Sequence, residues 1–328
     1  MRRVRYHSHG GPEVLAVEEA GIPEPGPGQV LIRTEAIGVN YVDVQLRRET
    51  DPGSIWFRPL PGTLTGDVVG TVEKAGPGAG AGAGAALAGR RVAALLEDAG
   101  ADYVVAGTDW LVPVPAGLGA DAAGMLPTTG PVALGALRAG RLGAGETILV
   151  TAGAGAIGHL AVQLARELGA GTVIATAGSP AKLALAKELG ADIAVDHGQP
   201  GWDDQVRSAV PGGVDVALEA VGGETLHRTL GLLAPSGRAV VFGASAGELT
   251  SVPVRSLFGL KSVTGFSLLA WRAADPEAVR AAIAELAGWF GAGRLRAVTG
   301  ATLPLAEVSR AHRLLEERSV PGRLLLVP

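Results

Sequence analysis

Three glycines with the spacing G-x-G-x-x-G lie within the sequence VTAGAGAIGHLAVQLARELGA, at Gly153, Gly155 and Gly158. They follow an apolar run and precede an amphipathic one, so the pattern predicts a strand, a tight turn and a helix. Such glycines let a pyrophosphate approach the backbone, where helix amides and the helix dipole favour the anion. The pattern therefore predicts a dinucleotide site. A triphosphate-binding Walker loop does not fit, because His159 and Leu160 follow the last glycine instead of Lys and Ser or Thr.

The residues after the next apolar strand, TVIATA, indicate which dinucleotide fits. An NAD enzyme usually has Asp or Glu about 20 residues further on, where the carboxylate binds the ribose 2′-hydroxyl. This chain has GSPAK there, with a hydroxyl at Ser179 and a cation at Lys182 but no acid. A carboxylate would repel a 2′-phosphate, so its absence permits NADP. Alternatively, Lys182 is only a solvated lysine in the first turns of a helix.

Two other kinds of functional site can be compared with the sequence, a serine hydrolase site and a metal site. GASAG (Gly243–Gly247) matches the G-x-S-x-G nucleophile elbow, and Asp275 and His312 follow Ser245 in hydrolase order. An elbow needs a helix directly after its serine, whereas ELTSVPV with Pro253 follows here, so a serine hydrolase is a remote alternative. The six histidines have no HExxH spacing, and the sequence predicts no metal site.

Composition narrows the functional classes further. The chain of 328 residues is 47% hydrophobic, has a net charge of −4 and shows no cluster of Lys and Arg, so no nucleic-acid surface is expected. It has no cysteine, which excludes disulfides, thiolate zinc sites, iron–sulfur clusters and cysteine nucleophiles. This suits a reducing cytoplasm, and the absence of an apolar segment near Met1 predicts no signal peptide. Thr147–Ala165 is long enough for a membrane span, but its glycines predict strand, turn and helix instead.

The elements that must position the glycine turn follow from the apolar pattern. The first ~120 residues indicate mostly strands and loops, at EVLAVEEA, QVLIRTEAIGV, DVVGTVEKAG and RRVAALL, and the low-complexity Gly76–Gly89 indicates a surface turn. From about Met125, strands at TILVTA, TVIATA, DIAVD, VDVALEAV and RAVVFG alternate with helices at Ala156–Leu168, Pro180–Leu189, Trp202–Ala209 and Glu224–Leu233. This alternation predicts a doubly wound parallel sheet. A helix at Pro276–Phe290 and a strand–helix–strand tail should return to the first domain.

The chain resembles the zinc-independent quinone oxidoreductase branch of the medium-chain dehydrogenase/reductases. The resemblance rests on the ordered blocks HSHGGPEVL, AIGVNYVDVQLR, AGAGAIGHLAVQLAR, GADIAVDH, DVALEAVGG, VVFGASAG and AHRLLEERSVPGRLLLVP. It implies an α/β fold with a GroES-like β-rich domain at 1–123 and 263–328 and a Rossmann domain at 124–262, with NADPH in the cleft between them. It also implies hydride transfer to a quinone or an α,β-unsaturated carbonyl. A non-enzymatic, redox-responsive NADPH-binding protein is the alternative.

The same resemblance implies site residues. Asn40 stands where the zinc-dependent relatives have a cysteine ligand, Gln45 where the branch often has tyrosine, Pro131 where threonine is common, and His197 where tyrosine is common. The implied catalytic residues are Asn40, Asp43 and Gln45. The implied cofactor-binding residues are Asn40, Pro131, Gly153, Gly155, Ala156, Ile157, Gly158, Gly178, Ser179, Lys182, His197, Val221, Phe242, Gly243, Ser245 and Arg318.

The segment LKSVTGFSLLAW (Leu260–Trp271) predicts how two copies would assemble. Its start can add a final strand to the parallel sheet, and a last strand lies at an edge where unpaired backbone groups invite pairing. The segment is apolar and has no acid, with Lys261 and Arg272 only near its ends. We therefore expect a homodimer joined through the cofactor domain.

Overall fold

Two units make up the chain in the computed structural model, which describes residues 1–79, 87–247 and 249–328. Unit 1 comprises Met1–Thr128 and Leu286–Pro328, and unit 2 comprises Thr129–Glu285. The surface turn predicted at Gly76–Gly89 falls largely outside the described residues and stays a prediction.

Unit 1 is built on a mostly antiparallel sheet. Its strands are β1 (Arg2–Tyr6), β2 (Leu15–Glu19), β3 (Gln29–Gly38), β4 (Gly66–Ala75), β5 (Arg91–Leu96), β6 (Tyr103–Gly107), β7 (Val112–Pro113), β14 (Thr299–Pro304) and β15 (Arg323–Val327). The main sheet has the order β14-β15-β3-β4-β5-β7, with β6 also paired to β3, while β1 and β2 pair separately. Because β15 pairs with β3, the C-terminal strand lies next to the residues that follow β3.

Among the described residues, the α-helices that lie wholly within unit 1 are α1 (Val42–Arg48), α2 (Ala120–Ala123) and α10 (Val308–Glu316). The reading of the first ~120 residues as mostly strands and loops missed α1. That helix makes only about two turns, which is too short for a clear 3.6-residue periodicity. Asp43 in its first turn and Arg47 and Arg48 in its last turn match the helix dipole.

Unit 2 holds the predicted doubly wound parallel sheet, which is confirmed. Its strands are β8 (Thr147–Val150), β9 (Thr172–Ala177), β10 (Ile193–Asp196), β11 (Val214–Glu219), β12 (Leu233–Val241) and β13 (Ser262–Gly265). Every pairing among them is parallel, and the order is β10-β9-β8-β11-β12-β13. This is the Rossmann order, in which the chain reverses its direction across the sheet between β8 and β11. As predicted, β13 lies at an edge.

The helices of unit 2 are α3 (Thr129–Ala139), α4 (Gly158–Glu167), α5 (Pro180–Glu188), α6 (Trp202–Ala209), α7 (Gly223–Leu232) and α8 (Leu268–Ala274), and α9 (Pro276–Gly291) runs on past its boundary. The local sequence explains their limits. Helix α5 begins after Ser179, whose side chain caps it, with Pro180 in its first turn, and Gly190 follows its end with φ 113°.

The apolar run Thr147–Ala165 forms β8, the glycine turn and most of α4, as the glycines predicted. Its strand residues Ile148, Leu149 and Val150 are fully buried in the sheet. Within the described ranges, no helix combines the length and the apolar character needed to cross a membrane.

Candidate active site

The glycine turn between β8 and α4 leaves no room for side chains at two of its three glycines. A Cβ on Gly153 would lie 2.6 Å from the Cβ of Ala175 on β9, and one on Gly158 would lie 2.1 Å from the carbonyl oxygen of Ala152. Gly155 is less crowded, with the same oxygen at 3.2 Å. The first glycine therefore lets the turn pack on β9, and the third lets α4 start directly against the turn.

Hydrogen bonds fix this turn at the end of β8. The backbone N–H of Gly153 donates to the carbonyl of Thr176 at 2.8 Å, and that of Gly155 donates to the carbonyl of Ala152 at 2.8 Å. Ala156 and Ile157 complete the turn, and Ile157 directly precedes α4. The positive end of the α4 dipole thus stands at the carboxyl edge of the sheet, where it would favour an anion.

The end of β9 carries no carboxylate, since Ala177 is followed by Gly178 and Ser179. A Cβ built on Gly178 would stand 3.3 Å from Nε2 of His197, so this glycine lies against the imidazole that follows β10. Ser179 accepts a hydrogen bond from the backbone N–H of Lys182 through its hydroxyl, which places Lys182 in the first turn of α5. The structure therefore brings together the predicted residues Gly178, Ser179, Lys182 and His197.

Two loops form the other side of the same sheet edge. The loops after β11 and β12 pair with each other, because the N–H groups of Phe242, Ser245 and Ala246 donate to the carbonyls of Glu219, Ala220 and Val221 at 3.0, 3.0 and 2.8 Å. A Cβ on Gly243 would lie 2.9 Å from the carbonyl oxygen of Ala220. The predicted residues Val221, Phe242, Gly243 and Ser245 thus occupy adjacent loops at the carboxyl ends of their strands.

A buried carboxylate organises the loop after β11, and the sequence analysis missed it. Glu219 is fully buried, and its two oxygens accept the backbone N–H groups of Val221 at 2.9 Å and Gly222 at 2.8 Å. Burial raises the pKa of Glu219, and these amides act in the opposite direction. The available signal was an acid inside the apolar run VDVALEAV, where a charge has no place in an ordinary buried strand.

In unit 1, the predicted residues Asn40, Asp43 and Gln45 lie where β3 leads into α1. Asn40 and Gln45 are partly exposed, whereas Asp43 is buried. One carboxyl oxygen of Asp43 accepts the N–H of Thr65 at 2.8 Å, and the other has no hydrogen-bond partner among the described residues. Burial raises the pKa of Asp43 to about 7, against the opposing effect of the Thr65 hydrogen bonds. Asp43 therefore joins α1 to the segment before β4.

Asn40 has different neighbours, which the sequence analysis also missed. Its side-chain oxygen accepts a hydrogen bond of 3.3 Å from Nη2 of Arg323 on β15. The same Arg323 forms a fully buried ion pair with Asp67 on β4 and donates to the carbonyl oxygen of Gly124. The signal for this cluster was an arginine and an aspartate that each adjoin an apolar run, in GRLLLV and GDVVG.

Two predicted cofactor-binding residues, Pro131 and Arg318, lie outside the loops at the carboxyl edge of the parallel sheet. Pro131 is buried in the first turn of α3 in unit 2. Arg318 follows α10 in unit 1 with φ 50°, whereas Gly178, Ser179, Lys182 and His197 all lie in unit 2. The roles predicted for both residues stay predictions.

The hydrolase alternative lacks its required geometry. No α-helix follows Ser245 directly among the described residues: residues 245–247 form a turn, residues 249–253 are irregular, and a short 3-10 helix follows at Val254–Leu257. His312 is fully buried in α10, and neither ring nitrogen has a hydrogen-bond partner among the described residues. Burial, helped by the charge of Arg47, lowers the pKa of His312 to about 3. A buried, neutral His312 without hydrogen-bond partners among the described residues is not the oriented base that a hydrolase triad requires.

Across residues 1–79, 87–247 and 249–328, no group of three or more His, Cys, Asp or Glu side chains is placed to hold a metal ion. The absence of a metal site stays a sequence-based prediction, which rests on the lack of cysteine.

Comparison with known proteins agrees with the two units. Residues 26–98 match the family model for the alcohol dehydrogenase GroES-like domain, and residues 156–288 match the model described as zinc-binding dehydrogenase. A quinone oxidoreductase of Pseudomonas aeruginosa is 32% identical over 100% of this chain and 99% of its own length. A 2-haloacrylate reductase of a Burkholderia species is 31% identical over 98% of this chain and 97% of its own.

A solved structure has the same fold over the whole chain. A mycobacterial protein complexed with NADPH has a TM-score of 0.90 and 32% sequence identity, with all of both chains covered. These matches span the GroES-like and the Rossmann parts together, as the sequence blocks predicted. The chain therefore belongs to the quinone oxidoreductase family of the medium-chain dehydrogenase/reductases.

Proposed function

We propose that this protein is an NADPH-dependent oxidoreductase that transfers a hydride to a quinone or an α,β-unsaturated carbonyl compound. The observation that carries the proposal is the crowded glycine turn Gly153–Gly158 beside a β9 end without an acid, in a chain of this family. The relatives' activities as quinone oxidoreductase and 2-haloacrylate reductase support this class of electrophilic substrate.

The residues of unit 2 fit the cofactor. The dipole at the start of α4 suits a pyrophosphate, and the turn has no space for a side chain at Gly153 or Gly158. Ser179 and Lys182 offer a hydroxyl and a cation for the 2′-phosphate, with His197 next to Gly178. Val221, Phe242, Gly243 and Ser245 would line the remaining length, with Pro131 and Arg318 as further proposed contacts. NADPH, when bound, supplies the hydride.

The residues of unit 1 would act on the acceptor. In the proposal, Asn40 donates a hydrogen bond to a carbonyl oxygen, and Gln45 contributes to the substrate pocket from the same helix end. Asp43, the third proposed residue of this site, holds α1 in place through Thr65. Hydride transfer to an electrophilic carbon needs orientation of two planar groups and no metal. The lack of cysteine supports a zinc-independent reaction.

The proposal includes a homodimer formed through unit 2 and a cytoplasmic location. Among the described residues, strand β13 pairs only with β12, and the segment before it exposes Leu249, Val254, Phe258 and Leu260. Phe258 and Leu260 are 79% and 81% exposed. Exposed apolar side chains beside a free sheet edge favour association with a second copy. The cytoplasmic location rests on composition alone.

A steady-state assay tests the proposed activity. Purified protein is mixed with NADPH and a series of benzoquinones, naphthoquinones and enones, and cofactor oxidation is followed by absorbance. Simple alcohols with NADP⁺ serve as the matched negative series, because the proposed zinc-independent reaction has no metal Lewis acid to support their oxidation. Saturable oxidation with quinones or enones is expected. Tight NADPH binding without turnover by any acceptor would instead indicate a non-enzymatic NADPH-binding protein.

A further inference from the structure

The guanidinium of Arg323 is fully buried beside Asn40, where several hydrogen bonds hold it. Its side chain is inaccessible to solvent, as is that of its ion-pair partner Asp67. It donates through Nη2 to Asp67 and to Oδ1 of Asn40, and through Nη1 to the carbonyl of Gly124. A Cβ on Gly38 would lie 2.0 Å from Nη2, so the last residue of β3 must be glycine to admit this side chain.

We infer that Arg323 is a positioning residue that fixes the side-chain amide of Asn40 with its oxygen turned inward and its NH₂ group presented to the substrate. This inference rests on the proposed function. An arginine has donors and no acceptor, so only the oxygen of the Asn40 amide can face it. Rotating the amide by half a turn would set two N–H groups against each other next to a cation.

This orientation decides which chemistry Asn40 supports. A fixed NH₂ group is a donor, so it recognises an acceptor such as the carbonyl oxygen of a quinone or an enone. Hydride addition moves negative charge onto that oxygen, and a donor held in place strengthens its bond as the charge develops. Arg323 itself touches no substrate in this account and acts only through Asn40, with Asp67 neutralising its charge.

A double-mutant cycle tests the inference. Asn40→Asp keeps the shape of the side chain and its contact with Arg323 but removes the donor, and kcat should fall by roughly 100-fold. Arg323→Lys keeps the charge but loses the fork that reaches several acceptors at once, and kcat should fall by roughly tenfold while the Kd for NADPH changes less than about twofold. In the Asn40→Asp background, Arg323→Lys should change kcat by less than about twofold. Arg310→Lys on the exposed face of α10 is the matched control.

A purely structural role for Arg323 gives a different result, with the same loss of kcat in both backgrounds, and this would overturn the inference. A second readout is independent of turnover. The side-chain amide resonance of Asn40 in ¹⁵N-labelled protein should be single and slow to exchange in the wild type, and shifted and faster to exchange in Arg323→Lys. An unchanged resonance would also overturn it. If the wild type turns over no acceptor, the proposed function fails, but the resonance still tests the position of the amide.

If the Arg323→Lys variant is too unstable to be studied, a second variant tests the same inference. Asp67→Asn keeps Arg323 and removes the anion that holds the guanidinium, so the Asn40 resonance and kcat should change in the same direction as in Arg323→Lys. If Asp67→Asn changes neither quantity in a folded protein, the inference is wrong.

Discussion

Glu219 Oε2 accepts a 2.8 Å hydrogen bond from the backbone N–H of Gly222, the residue directly before α7. Gly222 has φ 79°, a backbone conformation that residues other than glycine rarely adopt. The carboxylate therefore holds a turn that carries Val221, one of the proposed cofactor contacts, in a single geometry.

Glu219→Gln should weaken both folding and cofactor binding. A glutamine offers one oxygen where two backbone amides now donate, so one buried N–H loses its partner at a cost of about 1–3 kcal/mol. Urea unfolding should show this loss, and the Kd for NADPH should rise by roughly tenfold as the loop loosens. Glu224→Gln, exposed in the first turn of α7, is the control and should change stability by less than about 0.5 kcal/mol. Equal effects of both variants would refute the role of Glu219.

Lys182→Ala should reduce the affinity of the protein for NADPH and leave its affinity for NADH nearly unchanged. A charge-assisted contact with a phosphate contributes about 1.5–3 kcal/mol, which corresponds to a loss of at least roughly tenfold in NADPH affinity. Calorimetric titration of both cofactors measures this. Lys187→Ala, exposed in the last turn of the same helix, should leave both affinities unchanged. A wild type that binds NADH and NADPH equally would contradict the predicted preference.

Asp43→Asn should stabilise the protein in mild alkali but not in acid. The pKa of Asp43 is raised by burial from 3.8 to about 7, so the unfolded chain ionises first and stability falls as the pH rises between these values. Above about pH 7 the penalty is complete, with an upper limit of about 4 kcal/mol. An asparagine carries no such penalty. Thermal unfolding should therefore show a gain for the variant at about pH 8 and little gain at about pH 4.

Asp109→Asn, an exposed carboxylate in the same unit, is the control for this pH dependence. It should follow the wild type at both pH values. A gain for Asp43→Asn that is the same in acid and in alkali would show that ionisation of Asp43 is not its cause.

Phe258→Asp should convert the proposed dimer into a monomer. Phe258 is 79% exposed in the segment before β13. In the proposed dimer, an aspartate at this position would be buried without a partner of opposite charge, or would face the same aspartate of the second copy across the two-fold axis. Light scattering should give about twice the chain mass of 33.0 kDa for the wild type and about that mass for the variant. Ile55→Asp, exposed to 65% in unit 1, should remain dimeric. A monomeric wild type would refute the dimer itself.

The sequence predicted the parts of this fold that periodicity and spacing determine. The strands of unit 2 and the turn Gly153–Gly158 follow from continuous apolar runs and a fixed glycine spacing, which are local properties. Helix α1 is too short to show a period, and its limits depend on packing against the rest of unit 1. The buried ion pair of Asp67 and Arg323 joins residues more than 250 positions apart. The local sequence shows a charge beside an apolar run at each position, but it cannot show that the two charges pair or that Asn40 lies next to them.

Isotope transfer tests the central claim most directly. Protein treated with a chelator and shown by metal analysis to lack zinc is mixed with NADPH that carries deuterium at C4 of the nicotinamide and with an α,β-unsaturated ketone. Mass spectrometry then locates the label in the product. Hydride transfer without a metal predicts one deuterium at the β-carbon of the saturated ketone, supplied from one face of the nicotinamide only. Loss of activity with the removed metal, or a reduced product without deuterium, would contradict the account.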